Sequence, residues 1–264
     1  MECRLPWADS MWLRACRGLA CLLSVLLVSC GGGGGGGGGV EAPLSGNFFP
    51  LAVGDRWTYA GDGDLQMTVR ATAIRRVDGQ EGVVVTVDDP ADGRTEVVCL
   101  VSADGVREVP AAGGDPWLLA IGPVQVMRFP LVPGDSYVQI DRTISTGIDF
   151  DGDGQVEQAQ VRSEVTVIGA ETVATRVGSF AGTAHVRTTM TAHVALSLLK
   201  ETVLVTVTSD DWFAPGVGPV RSVVQTRSDG AVERSEWSVL AYLAGSARSE
   251  SVPPTVATVS PSDG

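Results

Sequence analysis

The stretch IDFDGDGQVEQAQ, residues 148–160, puts oxygen-bearing side chains at alternate positions. Asp149, Asp151 and Asp153 stand at positions 1, 3 and 5 of a calcium loop, and Gly154 at position 6 permits the sharp turn such a loop needs. Gln155, at position 7, offers its main-chain carbonyl, and Glu157, at position 9, ligates directly or through water. Hard oxygen donors at this spacing suit Ca²⁺. Position 12 is Gln160 rather than a bidentate Glu, and the flanks YVQIDRTIST and VRSEVTVIG alternate as strands do. The expectation is therefore a Ca²⁺ loop between two strands, not a helix-loop-helix hand. The alternative is a solvated acidic turn, which Asp and Gly favour in any case.

Other residues with chemical potential are few. There is no Gly-x-Ser-x-Gly, His-Glu-x-x-His or phosphate-binding glycine loop. His185 and His193 are eight residues apart on one side of an alternating segment, roughly 26 Å along a strand, too far to share a metal; both are expected to face solvent. Asp210-Asp211 beside Trp212 could pair two carboxylates or form a sugar platform, but a turn at a strand end, with the aromatic covering the core, is the expectation. Trp57, Trp117, Trp212 and Trp237 could line a groove; core positions are expected. Cys99, in TEVVCLVS, reads as a buried thiol. No catalytic constellation emerges, and a non-enzymatic protein is expected.

The elements that must position these residues have a period of two. Met67, Val69, Ala71 and Ala73, with Leu65, share one face of DLQMTVRATA. Ala184, Val186, Met190, Ala192, Val194 and Leu196 do the same further on, as do Val203, Val205 and Val207. Such alternation marks strands with one buried and one wet face. Asp-Gly pairs at Asp78, Asp92, Asp104 and Asp229 supply hairpin turns. No long amphipathic helix follows the first thirty residues. The expected fold is all-β: a large, mainly antiparallel curved sheet, a half-open barrel or sandwich-like, of roughly ten to thirteen strands. FPLAVGDRW (Phe49 to Trp57) and FPLVPGDSY (Phe129 to Tyr137) echo each other. They could frame one site, but two equivalent corners of a curling sheet are the expectation.

The amino terminus sets expectations about place. Leu19 to Val28 is an apolar run too short to span a bilayer, which takes roughly 20 residues; Arg14 and Arg17 precede it, as in a signal peptide. Leu27-Val28-Ser29-Cys30 resembles the lipobox of bacterial lipoproteins. The resemblance implies cleavage before Cys30 and acylation of its thiol and new amino group, with palmitate among the acyl chains. Gly31 to Gly39 then form a flexible tether, on the order of 17 Å root-mean-square. The expected divisions are a signal peptide at 1–29, lipidated Cys30 and tether at 30–45, a β domain at 46–246, and a linker at 247–264. PPTVATVSPSDG in that tail resembles the opening strand of bacterial Ig-like domains.

The segments NFFPLAVGDRWTYA, VGSFAGTAHVR and DWFAPGVGPVRS together resemble a group of bacterial lipoproteins of uncharacterised function. Their motifs are FPL-x-x-G-x-x-W-x-Y, Gly-[ST]-Phe and [WY]-[FY]-A-P-G-V-G-x-[VI]. The resemblance implies an architecture similar to half-open β-barrel lipoprotein carriers, which cradle acyl chains. A formal net charge of −12 argues against nucleic acid and against attraction to anionic lipid. The expected function is a bilayer-anchored binding module for an apolar ligand or lipid in the bacterial envelope, on the outer membrane. The alternative is a structural or cell-surface interaction protein that displays a β domain.

Overall fold

The computed structural model describes residues 41–61, 65–90 and 93–245. The expected signal peptide, Cys30, most of the expected tether and the 247–264 segment lie outside the described residues, as does Asp92 of one expected turn. Among the described residues, twelve strands run in chain order. The first six are β1 (Arg56–Ala60), β2 (Gln66–Val77), β3 (Gln80–Asp89), β4 (Gly93–Ser102), β5 (Gly105–Pro110) and β6 (Val124–Arg128). The second six are β7 (Ser136–Ser145), β8 (Gln158–Thr175), β9 (Gly178–Leu196), β10 (Glu201–Ala214), β11 (Gly218–Ser228) and β12 (Ala231–Leu243). A short helix, α1 (Pro116–Ile121), links β5 to β6.

All neighbours pair antiparallel in one sheet, in the order β6-β5-β4-β3-β2-β1-β12-β11-β10-β9-β8-β7. Two six-strand meanders thus lie side by side, joined by the β1–β12 ladder. A sheet this wide must curl to hide its apolar face, and it curls into a nearly closed barrel. Its edges meet through side chains. From β7, Tyr137 Oη and Gln139 Nε2 donate to the Gln125 carbonyl of β6, at 3.2 and 3.0 Å. Arg128 also lies 4.1 Å from the centre of the Tyr137 ring.

The two FPL segments open the two meanders. Gly54 (φ 98°) and Gly134 (φ 83°) both adopt the left-handed region that the turn requires. Asp55 N–H donates to Ala52 O and Asp135 N–H to Val132 O, each at 3.0 Å. Gly54 donates to Ala71 O on β2, and Gly134 to Val167 O on β8, each at 2.8 Å. The corners are equivalent. At Asp78-Gly79 and Asp229-Gly230 both residues have positive φ, as two-residue hairpins demand.

The alternation holds in β9 and β10, where every named apolar residue is buried. It fails at the ends of the β2 segment. A bulge between Ala71 and Ala73 shifts the phase, so Ala73 is exposed, and Leu65 is 43% exposed. The helix has a local cause: Pro116 at its start, and Asp115 Oδ1 accepting from Trp117 N (2.8 Å) and Leu118 N (3.1 Å). Trp117, Leu118 and Ile121 pack against Ile144, Phe150, Val161 and Val194, filling the barrel around the β7–β8 loop. Burying such side chains is worth about 1.5–3 kcal/mol each.

Candidate functional site

A cavity of about 110 Å³ lies inside the barrel, bounded by the first corner and by strands of both meanders. Its wall is mainly apolar: Leu51, Trp57, Met67, Val87, Met127 and Val186 contribute. Pro50 and Phe49 of the first corner also line it, so one FPL segment is both a corner and part of this cavity. Trp57 is fixed by its indole N–H, which donates to Val217 O at 2.7 Å, and by stacking on Tyr242 with ring centres 5.2 Å apart.

Set into this wall are Glu108 and Asp211, one from each meander. Burial pushes the Glu108 carboxyl up to about 8. Burial also pushes Asp211 well above the carboxylate range; hydrogen bonds from Ser209 and Ser222 oppose this, and the charges of Asp210 and Glu108 add to it. The bonds are Ser209 Oγ to Asp211 Oδ2 at 2.9 Å and Ser222 Oγ to Asp211 Oδ1 at 3.3 Å. Burial, reinforced by Glu108, raises the Cys99 thiol. Burial, reinforced by Asp211, raises the Tyr59 phenol, which donates to Pro219 O at 3.0 Å. Burial thus favours the uncharged form of both carboxyls in this wall. Glu108 was legible in GVREVP: it shares the phase of buried Val106. That it meets Asp211 was not.

Asp210 and Asp211 sit within β10, not at a strand-end turn, which corrects the expectation for this pair. Asp210 points away from the cavity into a row of side chains laid across neighbouring strands. Register sets Arg187 opposite Asp210 and His185 opposite Trp212. Arg187 Nε and Nη2 donate to Asp210 at 2.7 and 3.0 Å. His185 Nε2 lies 2.5 Å from Asp210 Oδ1, and its Nδ1 lies 2.9 Å from Glu171. Its ring stacks on Trp212 at 4.5 Å, Trp212 Nε1 donates to Glu171, and Arg221 covers the other partner of the stack, 4.9 Å from the Trp212 ring centre. Burial alone would raise Asp210, but the bonds from His185 and Arg187 win and hold it below the usual range.

His185 is therefore not solvent-facing as expected; its side chain is 13% exposed. Both its ring nitrogens are engaged, so neither is open to a substrate in this arrangement. His193, farther along β9, is exposed as expected. The four tryptophans are buried, as is Cys99.

The acidic loop joins β7 to β8, both strands, as its flanks implied. Asp149, Asp151, Asp153 and Glu157 each bring a carboxylate oxygen within 4.8 Å of the others. The Gln155 N–H and its side-chain amide both donate to Asp153, at 2.8 and 3.1 Å. Phe150 N–H donates to Glu157 Oε2 at 2.7 Å, and the Phe150 ring enters the core. The Ser197 hydroxyl, then Gln155, lowers Asp153, whereas burial raises Glu157.

No protein-family model matches the chain, and no curated protein matches it in sequence. Two solved structures resemble it over the fold. One, from Bacteroides fragilis NCTC 9343, is provisionally described as an exported protein with a YmcC-like fold; it is 19% identical, at a TM-score of 0.38, covering 76% of this chain and all of its own. The other, provisionally described as a lipoprotein of Parabacteroides distasonis ATCC 8503, is 16% identical, at a TM-score of 0.40, covering 75% of this chain and 99% of its own.

Proposed function

We propose that this protein is a lipid-anchored component of the bacterial envelope, held by acylated Cys30, whose barrel receives the apolar end of a small ligand or acyl chain. The observation that carries the reading is the cavity with two buried carboxyls, both shifted up by burial, in a mainly apolar wall. Buried acids with raised pKa cost stability, and such groups in a cavity wall are candidates for contact with a ligand. Size limits that ligand. A cavity of roughly 150 Å³ takes benzene, so about 110 Å³ holds one ring or a few methylenes rather than a whole lipid. A carbonyl, ester or carboxyl group on the ligand would accept from Glu108 or Asp211.

The test is titration of the full detergent-solubilised chain with carboxylic acids and their methyl esters of increasing length, read by tryptophan fluorescence and native mass spectrometry. Saturable one-to-one binding, abolished when Val186→Phe fills the cavity, is expected. A folded protein that binds none of them leaves a scaffold displaying a β domain. Separately, Cys30→Ala should abolish uptake of a palmitate analogue and release the protein from membranes; unlabelled wild type would refute the anchor.

A further inference from the structure

The loop between β7 and β8 gathers four carboxylates that could hold a cation. Four carboxylates from Asp149, Asp151, Asp153 and Glu157 converge, each with an oxygen within 4.8 Å of the rest. Oxygens bound to one Ca²⁺ at about 2.3–2.6 Å can lie no farther apart than about 5 Å, so this spread fits a single coordination sphere. Acidic clusters are common, and the cluster alone decides nothing. Asp151 decides it. This residue is 6% exposed, its Oδ2 accepts from Leu198 N–H at 2.7 Å, and its Oδ1 is buried with no hydrogen-bond partner. A buried carboxylate that belongs to a cluster of four and has one oxygen unpaired carries a large unmet cost. A cation meets it.

The geometry points to a structural Ca²⁺ site, formed by Asp149, Asp151, Asp153 and Glu157, that fastens the β7–β8 loop to the β9–β10 turn. Several carboxylates in one sphere suit Ca²⁺; Mg²⁺ keeps more of its water and usually takes only one or two. The fastening follows from who holds the ligands. Ser197 Oγ lies 2.7 Å from Asp153 Oδ2 and 3.5 Å from Glu157 Oε1, and Leu198 N–H holds Asp151; both residues belong to the β9–β10 turn. Glu157 also holds Phe150 N–H, and the Phe150 ring packs with Trp117 and Ile121 of α1. An ion here would set the loop that closes the helix-filled part of the barrel. This site is independent of the ligand cavity.

The experiment is calorimetric titration of chelator-treated full chain with Ca²⁺ alone, and with Mg²⁺ alone, alongside melting curves. One Ca²⁺ per chain is expected, with a rise of several degrees in melting temperature at roughly 1 mM Ca²⁺, the weak end of extracellular sites, and a smaller rise with Mg²⁺. Asp151→Asn should remove the Ca²⁺-dependent rise. Because that residue is buried, Ser197→Ala provides a second arm: it removes only a group holding two ligands and should weaken binding about tenfold. No heat and no Ca²⁺-dependent shift in the wild type overturns the proposal. So does equal response to Mg²⁺, or a Ser197→Ala protein that binds as the wild type does.

Discussion

Asp210 and Asp211 are consecutive in β10, yet their carboxyls lie on opposite faces of the sheet and their acidities are shifted in opposite directions. Asp210 is clasped by Arg187 and His185 and held below the carboxylate range. Asp211 faces the cavity beside Ser209 and Ser222, and burial drives it far up. The pleat alone separates them, since successive side chains of a strand point to opposite sides.

Conservative amides should distinguish the two. Asp211→Asn removes a carboxyl whose charge burial disfavours and should change stability at pH 7 by less than about 1 kcal/mol. Asp210→Asn strands Arg187 and His185. Breaking a buried pair costs roughly 3–5 kcal/mol, but the Arg187 side chain is 43% exposed, so roughly 2 kcal/mol is expected after discounting for solvent. Urea unfolding of both variants checks this; equal losses would mean that the two faces are not electrically distinct.

Glu108 predicts a pH dependence. Its folded pKa of about 8 lies above the ordinary 4.5. Between those values the folded state binds the proton and the unfolded state does not. Stability from this group is thus full below the unfolded value and falls as pH rises towards about 8. Glu108→Gln should flatten the decline in melting temperature between acid and mildly alkaline pH, and should stabilise the protein at the alkaline end. Parallel curves for wild type and variant would show that Glu108 is solvated.

The equivalent corners differ in one carboxylate. Asp55 is 1% exposed and accepts from Ala52 N at 2.8 Å and Gly245 N at 2.7 Å, tying down the chain after β12. Asp135, its counterpart, is exposed. Asp55→Ala should cost about 2–3 kcal/mol and Asp135→Ala no more than about 0.5 kcal/mol. Chemical denaturation measures both, and similar losses would deny the asymmetry.

Cys99 is 2% exposed, and burial raises its thiol. Iodoacetamide should leave the Cys99 peptide unmodified in the native protein and alkylate it fully in denaturant, since the thiolate is the reactive form. Modification of the native protein at the rate of a free thiol would place Cys99 in an open channel.

Much of this was legible locally. Alternation in TAHVAL and TVLVTV named the buried faces of β9 and β10, because one side of each strand must avoid water. Asp78-Gly79 and Asp229-Gly230 placed two of the hairpins, because few residues adopt their angles. The FPL echo marked two corners, and spacing singled out the 149–157 loop, in which the carboxylates of Asp149, Asp151, Asp153 and Glu157 lie close together. Local pattern could not show the bulge that exposes Ala73, since an inserted residue leaves composition unchanged. Nor could it pair His185 with Asp210, which depends on the β9–β10 register. The meeting of Glu108 with Asp211, and of Ser197 and Leu198 with the acidic loop, required more still. A period of two says which residues share a face, whereas the curl of twelve strands decides which faces meet across the interior, and that curl comes from burying the whole sheet at once.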